Sequence, residues 1–183
     1  ALRTPGRDAE AVAASLARLG FDVRVRRDVS NADLSTALAA FGAEASGADV
    51  ALFYFSGHSF SVEGRNYLAA IDTSGVQAAG VPAGATAVES ATGAVAAARS
   101  LRMVFVDASN QVGSQPRSRG SLVPPKSQTP VRLPPGTIVG YASQEGAAAQ
   151  DVLEGNDTSP YTSAFVRALD NPDRDIRDLH DEV

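Results

Sequence analysis

His58 follows the apolar run Val50 to Phe55 and sits in the short polar stretch Ser56-Gly57-His58-Ser59. A second apolar run, Met103 to Val106, leads into Asp107-Ala108-Ser109-Asn110. An imidazole and a small hydroxyl thus stand where two strand-like segments end. Histidine has an ordinary pKa that lets it move protons near neutral pH. A hydroxyl within its reach makes a base and nucleophile pair, the minimum for covalent catalysis. Each residue also has a plain structural role open to it: a strand-end histidine satisfied locally, and a serine capping a turn. The small neighbours Ser56, Gly57 and Ser59 favour the chemical role, since they leave the ring accessible and backbone N–H groups unobstructed.

These two positions need elements to hold them. Val12, Leu16 and Leu19 have helical spacing over Ala9 to Leu19, and Gly20 is the expected stop. Phe21, Val23 and Val25 alternate with Asp22, Arg24 and Arg26, which predicts a half-buried strand. Ser30-Asn31-Ala32-Asp33 resembles a capping box, opening a helix with Leu34, Leu38 and Phe41 on one face. The Val50–Phe55 run predicts a strand buried on both faces. Asn66 to Ile71 is a further short strand, Thr86 to Arg99 an Ala-rich helix, and Arg102 to Val106 and Thr137 to Ala142 two more strands. Ser159-Pro160 is an N-cap and N1 pair that opens a helix through Leu169, and Asn171-Pro172 starts another. This alternation predicts an α/β fold with a largely parallel sheet, in which ligands bind at the carboxyl ends of the strands.

The bulk properties exclude several function classes. With 183 residues, 44% of them hydrophobic, one compact domain with a real core is expected. The formal net charge of −5 argues against nucleic acid as the main partner. No apolar run is long enough to span a bilayer, and no signal peptide is visible, so a cytoplasmic location is the default expectation. There is no cysteine, which excludes disulfides, cysteine metal sites and thiol chemistry in the chain as it stands. Two histidines do not suggest a His-rich metal site. The chain opens at Ala1 on a helix, which leads to the expectation that a first strand lies upstream. Gly113 to Gly136 differs in composition, with six prolines and the basic residues Arg117, Arg119, Lys126 and Arg132. A loop of this length is usually functional or mobile.

Several separated segments, in order, carry a family resemblance. They are Arg7-Asp8-Ala9, Leu19-Gly20-Phe21, Val50 to His58, Gly64-Arg65-Asn66-Tyr67-Leu68, Val104 to Ser109, Gly140-Tyr141-Ala142-Ser143 and Pro160-Tyr161-Thr162-Ser163-Ala164. Together they resemble the caspase-like superfamily (peptidase family C14), and within it the bacterial metacaspase-like or orthocaspase type. The resemblance implies a caspase–hemoglobinase fold: a mostly parallel central sheet with helices on both faces. It implies one protease domain over residues 1–183. Residues 1–112 are then large-subunit-like, 113–136 an intersubunit-type loop, and 137–183 a truncated small-subunit-like region.

By the same resemblance, His58 is the catalytic base and acid, and Ser109 occupies the position of the nucleophilic cysteine. The backbone N–H groups of Ser59 and Ser109 form the oxyanion hole. Asp8, Asp107 and Asp151 line the pocket for the residue before the scissile bond. Three acids there favour Arg or Lys and repel acidic side chains. Each acid has a structural alternative: a first-turn helix acid at Asp8, a turn residue at Asp107, a solvated loop charge at Asp151. Arg117, Arg119, Lys126 and Arg132 become self-cleavage sites, or else belong to an ordinary surface loop. The acidic run that accompanies calcium dependence after the His motif is replaced by Val62-Glu63-Gly64-Arg65-Asn66, so neither calcium nor another cofactor is expected. The partner implied is a polypeptide with a basic residue at the cleavage point, acted on by a monomer.

Two departures stand out. The family usually has Gly after the histidine where this chain has Ser59; backbone donors survive that change. The family has cysteine where this chain has Ser109. A serine hydroxyl needs strong activation that a site shaped for thiolate rarely supplies. Three accounts are open: a Cys→Ser replacement that traps an inactive form, which is the expectation adopted; a natural pseudoprotease that binds peptides or another chain; and a true serine variant.

Overall fold

The computed structural model describes residues 2–62, 65–74, 83–110, 133, 135–142 and 157–171. Helix α1 (Pro5–Arg18) starts on a proline, whose missing N–H would have no helical partner there. It ends where expected: Gly20 has φ 87°, and its N–H returns to the Ala17 carbonyl. Helix α2 (Asn31–Ala45) is capped by Ser30, whose Oγ accepts from the Asp33 N–H at 3.1 Å. Ser30→Ala is expected to cost about 1 kcal/mol, read as a fall in melting temperature of about 2–4 °C in a protein of this size.

The sheet is built from β1 (Val50–Val62), β2 (Arg65–Ala69), β3 (Ala85–Ala87), β4 (Leu101–Asn110) and β5 (Thr137–Tyr141), with helices α3 (Val88–Val95) and α4 (Pro160–Leu169). Its order is β3-β2-β1-β4-β5. β1, β4 and β5 run parallel, and β2 and β3 add an antiparallel edge. Helices cover both faces. Leu34 and Leu38 of α2 and Val88, Ala91 and Val95 of α3 pack on Ala51, Val104, Val106 and Ala108. On the other face Val12 and Leu16 of α1 and Phe165 and Leu169 of α4 pack on Met103 and Phe105. This is the α/β, mostly parallel core with two covered faces that the caspase-like resemblance implied.

Four details differ from the sequence-based expectations. Phe21 and Val23 do pack on the α1/α4 side, but 21–25 joins no ladder among the described residues. Alternation turns a segment's apolar side to a core; it does not provide a neighbouring strand. β1 does not stop before His58. Phe60 and Val62 continue the two-residue period, and Phe60 stacks on Tyr67 in the hairpin to β2, with ring centroids 5.6 Å apart. Leu52 to Phe55 are half-buried rather than buried, because β2 pairs only with Ser59–Val62 and leaves one flank of the earlier residues without a ladder partner among the described residues. The predicted helix over Thr86 to Arg99 shrinks to α3. Thr86 and Ala87 are held in the β2–β3 ladder, and Thr86 Oγ1 donates to Asn31 Oδ1 at 2.6 Å.

Candidate active site

The parallel pairing of β1 with β4 sets the site. Its Cα partners are Tyr54 with Phe105, Ser56 with Asp107, and His58 with Ser109. Neighbouring strands lie about 5 Å apart, so the backbones at 58 and 109 are as close as two strands allow. Side chains alternate faces with period two. Tyr54 and Phe105 belong to the cluster under α1 and α4, which puts positions 56, 58 and 107 on that same face.

Two carboxyl groups converge there from different elements. Asp8 belongs to the first turns of α1 and is fully buried; Asp107 belongs to β4 and is 5% exposed. Ser56 Oγ donates to Asp8 Oδ2 at 2.8 Å, and the Ser159 backbone N–H donates to Asp8 Oδ1 at 2.8 Å. Asp107 Oδ2 accepts from Ser159 Oγ, from Thr162 Oγ1 at 2.9 Å and from Tyr54 Oη at 3.3 Å. Tyr54 Oη also lies 2.6 Å from Thr162 Oγ1. Ser159 is the N-cap of α4, its Oγ accepting from the Thr162 N–H at 2.9 Å. Ser159, Thr162 and Tyr54 all bond Asp107 at Oδ2, and the salt bridges of Arg7, Arg18, Arg24, Arg27, Arg65 and Arg99 lie on other acids.

The electrostatics follow from this enclosure. Burial raises the Asp107 pKa above the ordinary carboxylate value, and nearby Asp8 pushes the same way. The hydrogen bonds from Ser159, Thr162 and Tyr54 oppose that rise. Burial, then the Asp107 charge, drives the Tyr54 phenol well above its usual value, so it remains a neutral donor. Burial and Asp107 raise Tyr161 likewise. At the far end of the helix pair, Ser15 Oγ donates to Asp170 Oδ1 at 2.6 Å, and Arg18 donates to both Asp170 oxygens. Helix α4 is therefore tied to α1 at both ends, and its N-terminus is presented to the two acids.

The sheet places a histidine and the Asp-Ala-Ser segment in register on adjacent parallel strands. A family model described as the caspase domain matches residues 1–183. The chain belongs to the caspase-domain family of peptidases. No curated protein matches the sequence. Membership places this caspase domain in the cysteine-peptidase class, with polypeptide as the substrate class.

Of the anticipated site residues, the structure of the caspase domain brings His58, Ser59, Asp8, Asp107 and position 109 to one region. Asp8 is more deeply set than Asp107. It has no exposed surface and both its oxygens are engaged, so it stands behind Ser56 and Ser159. Asp151, Arg117, Arg119, Lys126 and Arg132 lie outside the described residues. Among the described residues, no helix is long and apolar enough to cross a membrane.

The residues that sequence reasoning passed over are Tyr54, Ser56, Ser159 and Thr162. Tyr54 and Ser56 were detectable, since they precede His58 by four and two positions on a strand. Ser159 was recognised as a cap alone, because nothing local says that its hydroxyl meets Asp107, 52 residues away in the chain. Gly57 has its own geometric reason: a Cβ there would lie 2.9 Å from Phe55 Cζ. The Phe55 ring packs on the α2/α3 core, so it cannot swing freely. Gly57→Ala is expected to destabilise the domain by about 1–3 kcal/mol and to shift the His58 ring resonances, both readable by thermal melting and NMR.

Proposed function

We propose that this caspase domain is an endopeptidase of the bacterial metacaspase-like type that cleaves after Arg or Lys when position 109 carries cysteine. The chain with Ser109 is then a nearly inactive form. One observation carries this reading: Asp8 and Asp107 are buried together beside the His58–Ser109 register, and the groups that bond them from Ser56, Ser159, Thr162 and Tyr54 are neutral. Burying acids without a counter-charge is unfavourable. A guanidinium or ammonium from a substrate relieves that cost, and an acidic side chain aggravates it.

In the reaction, a thiol at 109 loses its proton to His58 and attacks the scissile carbonyl carbon. The tetrahedral oxyanion accepts from the backbone N–H groups at Ser59 and position 109. Protonated His58 gives its proton to the leaving amine as the C–N bond breaks. Water, deprotonated by His58, then opens the acyl-enzyme and releases the carboxylate product. No cofactor enters this scheme. Asp107 supplies charge for the basic side chain, and Asp151 and the basic residues of the 113–136 loop are its proposed further pocket acid and self-cleavage points. The serine at 109 also favours a second reading, a pseudoprotease that binds basic peptides without cutting them. The test is a cleavage assay of the Ser109→Cys variant on peptides ending in Arg, Lys or Asp. Cleavage after Arg and Lys supports the proposal. Binding of Arg peptides without cleavage by Ser109→Cys supports the pseudoprotease, and preference for Asp overturns the acidic-pocket assignment.

A further inference from the structure

Ser159 makes three bonds at one point. Its N–H donates to Asp8 Oδ1, its Oγ donates to Asp107 Oδ2, and the same Oγ accepts the Thr162 N–H that caps α4. Among the described residues it is the one that bonds both acids. It is 3% exposed, so water does not substitute for these contacts. Tyr54 and Thr162 also donate to Asp107 Oδ2, so three hydroxyls hold the same carboxylate oxygen. The hydroxyls therefore orient the carboxylate as well as stabilise it. A carboxyl group free to rotate would present either edge; one held by three donors on one oxygen presents the other.

We propose that Ser159 is a positioning residue for recognition of the basic side chain, holding Asp107 turned and charged while docking α4 against Asp8. This rests on the basic-pocket reading above. It adds that the α4 N-cap, a residue that itself needs no contact with substrate, sets how strongly the pocket distinguishes a cation from a neutral side chain. Ser159 thereby links the seating of α4 to recognition.

The test measures binding, for which the Ser109 chain is suited because it does not consume the peptide. Two fluorescent peptides are used, ending in Arg and in citrulline, a neutral side chain of nearly the same shape. The unaltered chain is expected to prefer the Arg peptide. Ser159→Gly keeps the N–H to Asp8 and costs little as a cap. It is expected to weaken Arg-peptide binding roughly tenfold, with citrulline binding changed by less than about twofold. Tyr54→Phe removes another donor from Asp107 and leaves the α4 cap untouched; it is expected to shift the preference in the same direction by a smaller factor.

The pH dependence separates this role from a loss of packing. The groups that act on Asp107 are Asp8 from α1, Tyr54 from β1, and Ser159, Tyr161 and Thr162 at the start of α4. Tyr54 and Tyr161 keep their protons through the neutral range. Asp8 and His58 are the same in parent and variant. The Ser159 hydrogen bond lowers the Asp107 pKa, so removing it raises that pKa further. Arg-peptide binding should then fail at a higher pH in Ser159→Gly than in the parent. An unchanged Arg-to-citrulline ratio and an unchanged acid limit in Ser159→Gly, alongside a collapsed ratio in Asp107→Asn, would overturn the positioning role and leave the basic pocket standing. A ratio unmoved by Asp107→Asn would overturn the pocket itself, and the positioning role with it.

Discussion

The Ser109→Cys variant is expected to cleave peptides after Arg or Lys with kcat/KM on the order of 10⁴-fold or more above the Ser109 chain. The reason lies in the register. His58 and position 109 are Cα partners on adjacent parallel strands, and replacing oxygen by sulfur leaves that backbone register as it is. What changes is intrinsic reactivity. A thiol is partly ionised near neutral pH, and its thiolate is an inherently strong nucleophile. A serine hydroxyl has to be deprotonated during attack, and the two buried acids, Asp8 and Asp107, are engaged with hydroxyls and a backbone N–H. Initial rates on a fluorogenic peptide ending in Arg check the prediction. His58→Ala in the Ser109→Cys background should return the rate to near that of the Ser109 chain. A Ser109→Cys variant that cuts none of the Arg, Lys or Asp peptides would refute the peptidase proposal for this chain.

Asp107→Asn in the same background is expected to lower kcat/KM on Arg peptides by roughly 10²–10³-fold, equivalent to about 3–4 kcal/mol, the typical penalty for removing one member of a desolvated charge pair. The amide retains an acceptor oxygen for Ser159, Thr162 and Tyr54, so the loss falls on charge rather than on packing. The same substitution should stabilise the empty domain. Burial raises the Asp107 pKa in the folded state above its unfolded value. Above that raised pKa the folded protein carries a charge it disfavours, and stability is reduced. As pH falls through the raised pKa the carboxyl protonates, and the reduction disappears. Asp107→Asn should therefore melt higher than the parent at neutral pH, by about 2–4 °C if the relief is about 1 kcal/mol, and the difference should close on acidification. A site that weakens the fold at rest and gains from a bound cation is the expected signature of a recognition acid. Lower melting of Asp107→Asn at neutral pH would instead mark Asp107 as a structural member of the network.

Much of this arrangement was legible in the chain. The Ser30 and Ser159 caps and the Gly20 stop follow from local rules that operate within a few residues, and the parallel central strands from the alternation of helix and strand along the chain. The resemblance added what local rules do not contain, namely that His58, Asp107 and position 109 share one site. Other features were hidden for a physical reason. The 21–25 segment has the pattern of a strand, but a strand exists only when a neighbour accepts its hydrogen bonds. The continuation of β1 through His58 depended on the β2 hairpin, whose Tyr67 gives Phe60 a ring to stack on.

Residue types and their periods determined by themselves which side chains were available for chemistry and which face of a strand each would occupy. They identified the imidazole and the serine at two strand ends; that the serine stands in place of a thiol, and that the acids line a pocket, is what the resemblance implied. Tertiary structure alone decided that Asp8 is fully buried against the Ser56 hydroxyl and the Ser159 N–H, whereas Asp107 has one oxygen held by three hydroxyls. That division arises because α1, β1, β4 and α4 meet at a single point. Hydrogen bonds spanning 48 to 151 residues form only after the sheet and both helices have packed, so no local pattern in the chain encodes them.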